Sequence, residues 1–393
     1  MKKILSILLV ALTAVAAHAT HFPPATANAV KRLAHDGTNM YILHYNGLEV
    51  LDKATGLSAC YDQASGHFSD PRLNAIALQG STVWVGGQWG DLTAITGSRA
   101  ECRRLSYADD GTEGMIRMLG INAIVFDGDG RMYVGGDNCV GVVSADGSAD
   151  ISTFPGSYYG TEVWQMAADA DNTVWISATA AISGNGLMAY SANGGGVDMS
   201  VTAGDVPFLA STVKALAVDP SGRKWFGSMD KGTMQPMLYC FDGKTYRGYG
   251  LDKGMGIPAD MVFDGKGRLW FLPTMEFSTA DLGYGEYSKG PLCCLEDGLL
   301  TAYPFGELSM GYAYCVDADG DNIYVGTDCG VLAFSNGRFT RMESSWEGHT
   351  TGIIRHGSAT AIPTATYDLQ GRRLSARPEK GMYIEGGRKR VVR

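Results

Sequence analysis

One short pattern recurs seven times along this chain and constrains the fold more than any other feature. Each copy is a turn followed by a short apolar strand with an aromatic residue at its centre. The seven aromatic residues are Tyr41, Trp84, Tyr133, Trp175, Trp225, Trp270 and Tyr324. Their spacing of 42 to 54 residues suits four short strands and three turns per copy. Because radial closure removes long exposed strand edges, the pattern predicts an all-β, seven-bladed β-propeller with four-stranded blades.

A turn precedes each aromatic residue. In six copies an aspartate stands five to seven residues before the aromatic residue, and the second copy has Gln79-Gly80 instead. The six aspartates are Asp36, Asp127, Asp169, Asp219, Asp264 and Asp317. Asp and Gly favour tight hairpin turns, so these aspartates are interpreted as turn formers. The same interpretation covers Asp317-Ala318-Asp319-Gly320-Asp321, whose carboxylate spacing is similar to the start of a calcium loop.

Copies three and seven of the repeat show the pattern well. They read NAIVFDGDGRMYVGGDNCVGVV over residues 122–143 and VDADGDNIYVGTDCGVLAFSNGRFTRM over residues 316–342. This pattern resembles the two-component-regulator propeller repeat, and the resemblance covers about residues 28–343. It implies a propeller fold and a relation to a family that includes extracellular sensor halves of membrane kinases.

Both ends of the chain carry features of exported proteins. Lys2 and Lys3 precede an apolar run and the small-residue site Ala17-His18-Ala19, which predicts a signal peptide over residues 1–19. The propeller is expected over residues 20–345 and a linker over 346–360. The tail, residues 361–393, reads as a short β-hairpin segment with a basic end.

That tail contains Tyr367-Asp368-Leu369-Gln370-Gly371-Arg372-Arg373, then Lys380-Gly381-Met382-Tyr383-Ile384. It resembles the type IX secretion sorting domains of exported Bacteroidetes proteins. The resemblance implies an extracellular or cell-surface location and contact with outer-membrane secretion machinery through the tail. The alternative for the location is the periplasm. The alternative for the tail is an ordinary hairpin docked on the propeller.

Charge and composition exclude several kinds of partner and chemistry. The net charge is −9 although both ends are basic, so the body is strongly acidic and nucleic acid is not an expected partner. No histidine lies between His67 and His349, which removes the commonest base and metal ligand from most of the chain. We therefore expect no metal, no cofactor and a monomer.

The connections at one end of the propeller carry aromatic and acidic residues, which hold sugars or peptides in many proteins. The ligand-binding candidates are Trp89, Arg117, Tyr158, Tyr159, Glu162, Glu276, Phe277, Tyr284, Glu286 and Tyr287. The favoured function is non-catalytic binding of a glycan or protein ligand, and no catalytic residue is assigned. A lyase or hydrolase using Glu162, Glu276 or Glu286 with tyrosines is the first alternative. A periplasmic sensor or scaffold for a membrane partner is the second.

Overall fold

The strands of this protein form the expected all-β, seven-bladed propeller, in which each blade is a four-stranded antiparallel sheet. The chain divides into two compact units, Met1–Ile353 and Ile354–Arg393, and the propeller lies in the first. The computed structural model describes residues 29–70, 72–108, 115–117, 120–144, 148–154, 161–180, 186–191, 196–198, 205–252, 254–275, 288, 290–305, 312–342, 346, 366–367, 373–374, 381–385 and 388–392.

Each blade is one continuous stretch of chain, and its strands run in order from the innermost to the outermost. Blades one and two contain β1 (Val30–His35), β2 (Asn39–His44), β3 (Gly47–Asp52), β4 (Ser58–Asp62), β5 (Leu73–Gln79), β6 (Thr82–Gly87), β7 (Asp91–Thr96) and β8 (Arg99–Arg104). A two-stranded sheet of β9 (Ser106–Ala108) and β10 (Met115–Arg117) follows blade two. Blades three and four contain β11 (Ile121–Phe126), β12 (Met132–Gly136), β13 (Cys139–Val143), β14 (Ala149–Thr153), β15 (Thr161–Ala168), β16 (Val174–Ala180), β17 (Leu187–Ser191) and β18 (Gly196–Asp198). Blades five to seven contain β19 (Lys214–Val218), β20 (Lys224–Met229), β21 (Pro236–Phe241), β22 (Tyr246–Gly250), β23 (Met255–Phe263), β24 (Leu269–Met275), β25 (Leu292–Glu296), β26 (Leu299–Tyr303), β27 (Ala313–Asp319), β28 (Asn322–Thr327), β29 (Gly330–Ser335) and β30 (Arg338–Arg341).

The ring closes where the first blade meets the last. The innermost strand of each blade packs against those of its two neighbours, and β1 contacts both β5 and β27. Across this junction Asp317 Oδ2 lies 2.7 Å from His35 Nδ1, and Lys53 Nζ donates to Asp319 Oδ2 at 2.7 Å. The hydrogen bond to Asp317 raises the pKa of His35, although burial acts in the opposite direction. Closure therefore combines side-chain packing with ion pairs rather than strand exchange in the described residues.

Five of the predicted aspartates form hydrogen bonds with both the turn and the aromatic residue of their own blade. They are Asp36, Asp127, Asp169, Asp219 and Asp264. One carboxylate oxygen accepts two backbone N–H groups of the turn. The other accepts the Tyr O–H or Trp Nε1–H of the following strand at 2.7–3.0 Å. This carboxylate satisfies buried donors that no neighbouring strand reaches, which explains why the repeat needs Asp.

Two blades depart from this arrangement. Blade two has no aspartate in its turn, and Trp84 Nε1 has no hydrogen-bond partner among the described residues. In blade seven the prediction that Asp317 begins a turn is wrong, because Asp317 lies within β27 and pairs with Tyr324. The strand continues to Asp319, which pairs with Asn322, so the turn is Gly320-Asp321. The Asp317 carboxylate instead forms a hydrogen bond with His35 of blade one.

Replacing Asp219 by Asn should lower the free energy of unfolding by about 1–3 kcal/mol, because the new amide N–H faces the Trp225 Nε1–H. Burial raises the pKa of Asp219, but hydrogen bonds from Ser221, Trp225 and Arg223 lower it further, to about 2. Its stabilisation is therefore present above the unfolded-state pKa of about 4 and is lost as the pH falls towards 2.

Urea denaturation at pH 7 and pH 2.5 checks this prediction, and the difference between wild type and Asp219→Asn should shrink at the lower pH. The matched control is Asp242→Asn. Asp242 is exposed and accepts hydrogen bonds from Lys244 and Thr245 but from no aromatic residue, and one amide oxygen can still accept the two backbone N–H groups that Oδ1 accepts. An equal loss in both variants would contradict the proposed role of the Trp225 hydrogen bond.

The second unit contains four short strands, β31 (Thr366–Tyr367), β32 (Arg373–Leu374), β33 (Gly381–Glu385) and β34 (Arg388–Val392). They form one antiparallel sheet in the order β32-β31-β33-β34, and β33 and β34 are a hairpin. Of the two motifs that resemble a sorting domain, Tyr367, Arg373 and residues 381–384 are described, and they lie in this sheet.

Candidate functional site

A β-bulge interrupts the pairing of every innermost strand with its neighbour near the start of the strand. Bulges redirect side chains and are common beside binding sites. Counting three residues back from the residue that pairs with each blade's central aromatic gives seven equivalent positions. They are Lys31, Asn74, Asn122, Trp164, Lys214, Ala259 and Tyr314, and we refer to them as the mouth ring.

Members of the mouth ring contact one another across blade boundaries. Asn74 Nδ2 donates to Asn122 Oδ1 at 3.2 Å, joining blades two and three. The Lys214 ammonium lies 4.2 Å from the centre of the Trp164 ring, joining blades four and five. Lys31 Nζ lies 5.9 Å from the centre of the Tyr314 ring, joining blades one and seven. These contacts join six of the seven ring members in three pairs, and the seventh position, Ala259 of blade six, has no polar or aromatic side chain.

One carboxyl group is hydrogen-bonded to the pair formed by Asn74 and Asn122. Asp137 follows β12, and its Oδ1 accepts a hydrogen bond from Asn122 Nδ2 at 3.2 Å. This contact places the turn after β12 and the starts of the innermost strands at the same end of the propeller, the loop face. Burial raises the pKa of Asp137 to about 6, and the Asn122 hydrogen bond acts in the opposite direction. The three side chains Asn74, Asn122 and Asp137 form what we call the polar row.

Two polar residues that each follow a mouth-ring position by one residue form hydrogen bonds between the inner strands of different blades. Gln165 of blade four hydrogen-bonds the Asp260 carboxylate of blade six and accepts the Leu216 N–H of blade five at 2.6 Å. Asp260 also accepts the Val316 N–H of blade seven at 2.9 Å. Burial raises the pKa of Asp260, and the positive charge of Arg32 opposes it. These bonds hold the mouth ring on a rigid base, as a preformed binding site requires.

Trp89 is the predicted ligand-binding residue that the structure places most clearly. It lies in the turn after β6 on the loop face, with 54% of its surface exposed. The buried Asp70 carboxylate accepts the backbone N–H of Trp89 and of Arg72, and a Cβ at Gly87 would stand 2.5 Å from the same carboxylate. The turn is therefore fixed while the indole remains exposed. A rigidly presented Trp is a common anchor for ligands.

The remaining predicted residues are placed only in part. Glu162 is half-buried at the start of β15 on the loop face, where its backbone bridges to that of Asp137. Arg117 ends β10. The other candidates lie outside the described residues, and their role in binding stays a prediction: Tyr158, Tyr159, Glu276, Phe277, Tyr284, Glu286 and Tyr287.

The sequence predictions overlooked the mouth ring and the polar row. The signal that identifies them is the register of the repeat, since aligning the seven aromatic residues brings the seven ring positions into one column. Loop composition, the criterion used for the predicted residues, does not detect them because they lie within strands. In the part of the chain with described side chains, no group of three or more His, Cys, Asp or Glu residues could hold a metal ion.

Comparison with known proteins supports the fold and leaves the function open. No protein-family model and no curated protein matches this chain. Among solved structures, virginiamycin B lyase from Staphylococcus aureus in complex with quinupristin superposes with a TM-score of 0.60 at 13% identity, covering 79% of this chain and 96% of the lyase. At this identity the match establishes only a shared propeller fold.

Two bacterial propellers with other roles are similar to a comparable degree. The extracellular domain of the one-component system BT4673 from Bacteroides thetaiotaomicron gives a TM-score of 0.56 at 15% identity, over 93% of this chain and 44% of that domain. PorZ, a surface component of the type IX secretion system of Porphyromonas gingivalis, gives 0.54 at 14% identity, over 93% and 55%. This chain thus spans about half the length of either protein. A lyase, the extracellular domain of a one-component system and a surface protein share its fold.

The structural neighbours include an extracellular domain and a bacterial surface protein. In the described part of this chain, no helix has the length and apolar character needed to cross a membrane.

Proposed function

We propose that this protein is an exported propeller that binds a glycan or protein ligand at its loop face without catalysing a reaction. The observation that carries the proposal is the polar row on the mouth ring. Asn74 and Asn122 occupy the ring position, which is Lys, Asn, Asn, Trp, Lys, Ala and Tyr in successive blades, and hydrogen bonds link them to Asp137 in the turn after β12. The core positions of the repeat are nearly uniform, so a chemically varied ring at the mouth is not required for folding.

Aromatic groups beside the polar row support the same proposal. Trp164 stands on the next blade, and its Nε1 donates to Thr179 Oγ1 at 2.8 Å, which fixes the indole. Trp89 is exposed on the same face. Fixed aromatic surfaces next to amide and carboxyl groups bind ligands at little conformational cost.

An enzymatic role is the second candidate, and the raised pKa of Asp137 favours it, since a carboxyl group of pKa about 6 is suited to general acid catalysis. Binding is preferred because the partner of Asp137 is the Asn122 amide rather than a second acid or base. Three histidines have described side chains: His44 stacks on Trp346, His35 pairs with Asp317, and His67 contacts Tyr61 and Ser65, so none belongs to the mouth ring.

Export is part of the proposal. It rests on the signal-like residues 1–19, on the sorting-like tail and on the extracellular setting of two structural neighbours. Contact with the secretion machinery through the tail and a monomeric state belong to the same proposal.

Screening the mature chain against panels of oligosaccharides and peptides tests the binding function. Asn122→Ala should weaken binding by about tenfold or more, because both hydrogen bonds of the polar row pass through this side chain. Asn322→Ala is the matched control, since Asn322 is exposed at the start of β28, at the opposite end of blade seven. Unchanged affinity in Asn122→Ala, with the melting temperature preserved, would remove the polar row from the binding site.

A further inference from the structure

Asp137 is an acid of the loop face with one hydrogen-bonded carboxylate oxygen. Its Oδ1 accepts from Asn122, whose own Oδ1 accepts from Asn74, so the direction of the polar row is fixed. Its Oδ2 has no hydrogen-bond donor within the described residues and lies 3.6 Å from where a Cβ on Gly120 would stand. Glycine at position 120 therefore places no side chain of its own against this oxygen.

The charged and titratable groups around Asp137 offer it little compensation. On its own turn, Cys139 stays a neutral thiol, because burial and the Asp137 charge raise its pKa to about 12. From β15, the backbone of Glu162 bridges to that of Asp137. The ammonium groups of the mouth-ring residues Lys31 and Lys214 lie over the aromatic rings of Tyr314 and Trp164, respectively. Among the described residues Asp137 forms no ion pair, so its ionised form depends on water and on Asn122.

We infer that the mouth ring takes an uncharged, hydroxylated ligand, such as a neutral oligosaccharide, and that binding this ligand is coupled to the uptake of one proton by Asp137. This inference rests on the proposed binding function and narrows its ligand to the carbohydrate class. A neutral ligand over the mouth removes water from Oδ2 without supplying a positive charge, and this desolvation disfavours the carboxylate.

The protonated carboxyl group fits such a ligand better than the carboxylate does. It presents an O–H donor beside the free N–H of Asn122 and the Asn74 Oδ1 acceptor. Adjacent sugar hydroxyls each donate and accept one hydrogen bond, so an alternating row of donors and acceptors matches them. The carboxylate would present acceptors only.

Proton uptake on binding makes the affinity fall as the pH rises through the pKa of the free protein. That pKa is about 6, so Asp137 is mostly neutral at pH 5 and only about 1% neutral at pH 8. If the neutral form alone binds, the dissociation constant rises by up to about 100-fold between these two pH values.

Calorimetric titration of the mature chain with neutral hexasaccharides of glucose, mannose and xylose at pH 5, 6.5 and 8 tests the inference. Binding should be tightest at pH 5. At pH 8, where the free carboxyl group is almost fully ionised, the heats in phosphate and Tris buffers should differ by the difference between the two buffers' ionisation enthalpies, as for the uptake of one proton. Asp137→Asn mimics the neutral carboxyl group and should bind at pH 8 about as tightly as wild type at pH 5. The exposed acid Asp129, in the turn at the other end of blade three, provides the control Asp129→Asn, which should keep the wild-type pH dependence.

The possible failures are distinguishable. Equal affinity at pH 5 and pH 8 would refute the proton linkage while leaving the binding function intact. Binding of peptides or acidic sugars in place of neutral ones would overturn the ligand class. If no member of the oligosaccharide or peptide panels binds at any pH, the proposed function itself is wrong.

Discussion

Replacing Trp270 by Ala is expected to lower the free energy of unfolding by about 3–5 kcal/mol, as for other large aromatic truncations in a packed core. Only 2% of Trp270 is exposed, and it belongs to the apolar cluster that joins blades six and seven. Its ring centre lies 5.7 Å from that of Tyr303 and 5.4 Å from that of Phe334. The truncation removes these contacts and also leaves the buried Asp264 without its Nε1–H donor.

Urea denaturation of the full chain measures this effect, and two further variants interpret it. Trp270→Phe should have an intermediate stability because it keeps most of the ring packing and loses the hydrogen bond to Asp264. Trp89→Ala should change stability by less than about 0.5 kcal/mol, since Trp89 is mostly exposed. Trp225 occupies the equivalent place in blade five, so Trp225→Ala should resemble Trp270→Ala. A loss below about 1 kcal/mol in both would contradict the repeat interpretation.

The blade architecture was predictable from the sequence because it is determined over short distances. Each turn aspartate bonds an aromatic residue five or six positions later, so one segment specifies both the turn and the strand that follows it. Where the local rule failed, at Asp317, the cause was non-local. The strand extends to Asp319, and the carboxylate meets His35 of the first blade instead.

The candidate site was less predictable because it depends on register and on contacts between blades. Asn74 and Asn122 belong to different blades, and only the bulges in β5 and β11 bring their amides together. Neither residue stands out by composition, since single asparagines are common in turns and strand ends. Trp89 was singled out because it lies in a short turn outside the repeat core; the structure shows that it is exposed, and its role in binding stays a prediction.

The segment after the last blade provides the second large effect, through Trp346. This residue was expected to begin a linker, yet only 1% of it is exposed. It stacks on His44 of blade one with ring centres 4.4 Å apart and planes 4° from parallel. A Cβ on Gly47 would stand 2.1 Å from the Trp346 ring, so glycine is needed there.

Other blades show what this tryptophan does. The connection after each of several outer strands buries one apolar residue in a cluster shared between neighbouring blades. These residues are Phe68, Leu105, Phe154 and Phe305. Trp346 follows β30, the outermost strand of the last blade, and packs on the first blade. Trp346 therefore joins the last blade to the first, as the continuous chain and a buried side chain join neighbouring blades elsewhere in the ring.

Trp346→Ala is therefore expected to cost about 3–5 kcal/mol and to loosen the junction between blades one and seven before the rest of the ring. Hydrogen exchange should become faster in β1–β4 and β27–β30 than in β15–β22, and the urea midpoint should fall. A chain ending at residue 345 should show the same loss, whereas one ending at residue 353 should keep nearly the stability of the full chain. Equal stability of the two shortened chains would show that the ring closes without Trp346. In that case the ion pairs of His35 and Lys53 with Asp317 and Asp319, together with the packing of β1 on β27, would have to be sufficient for closure.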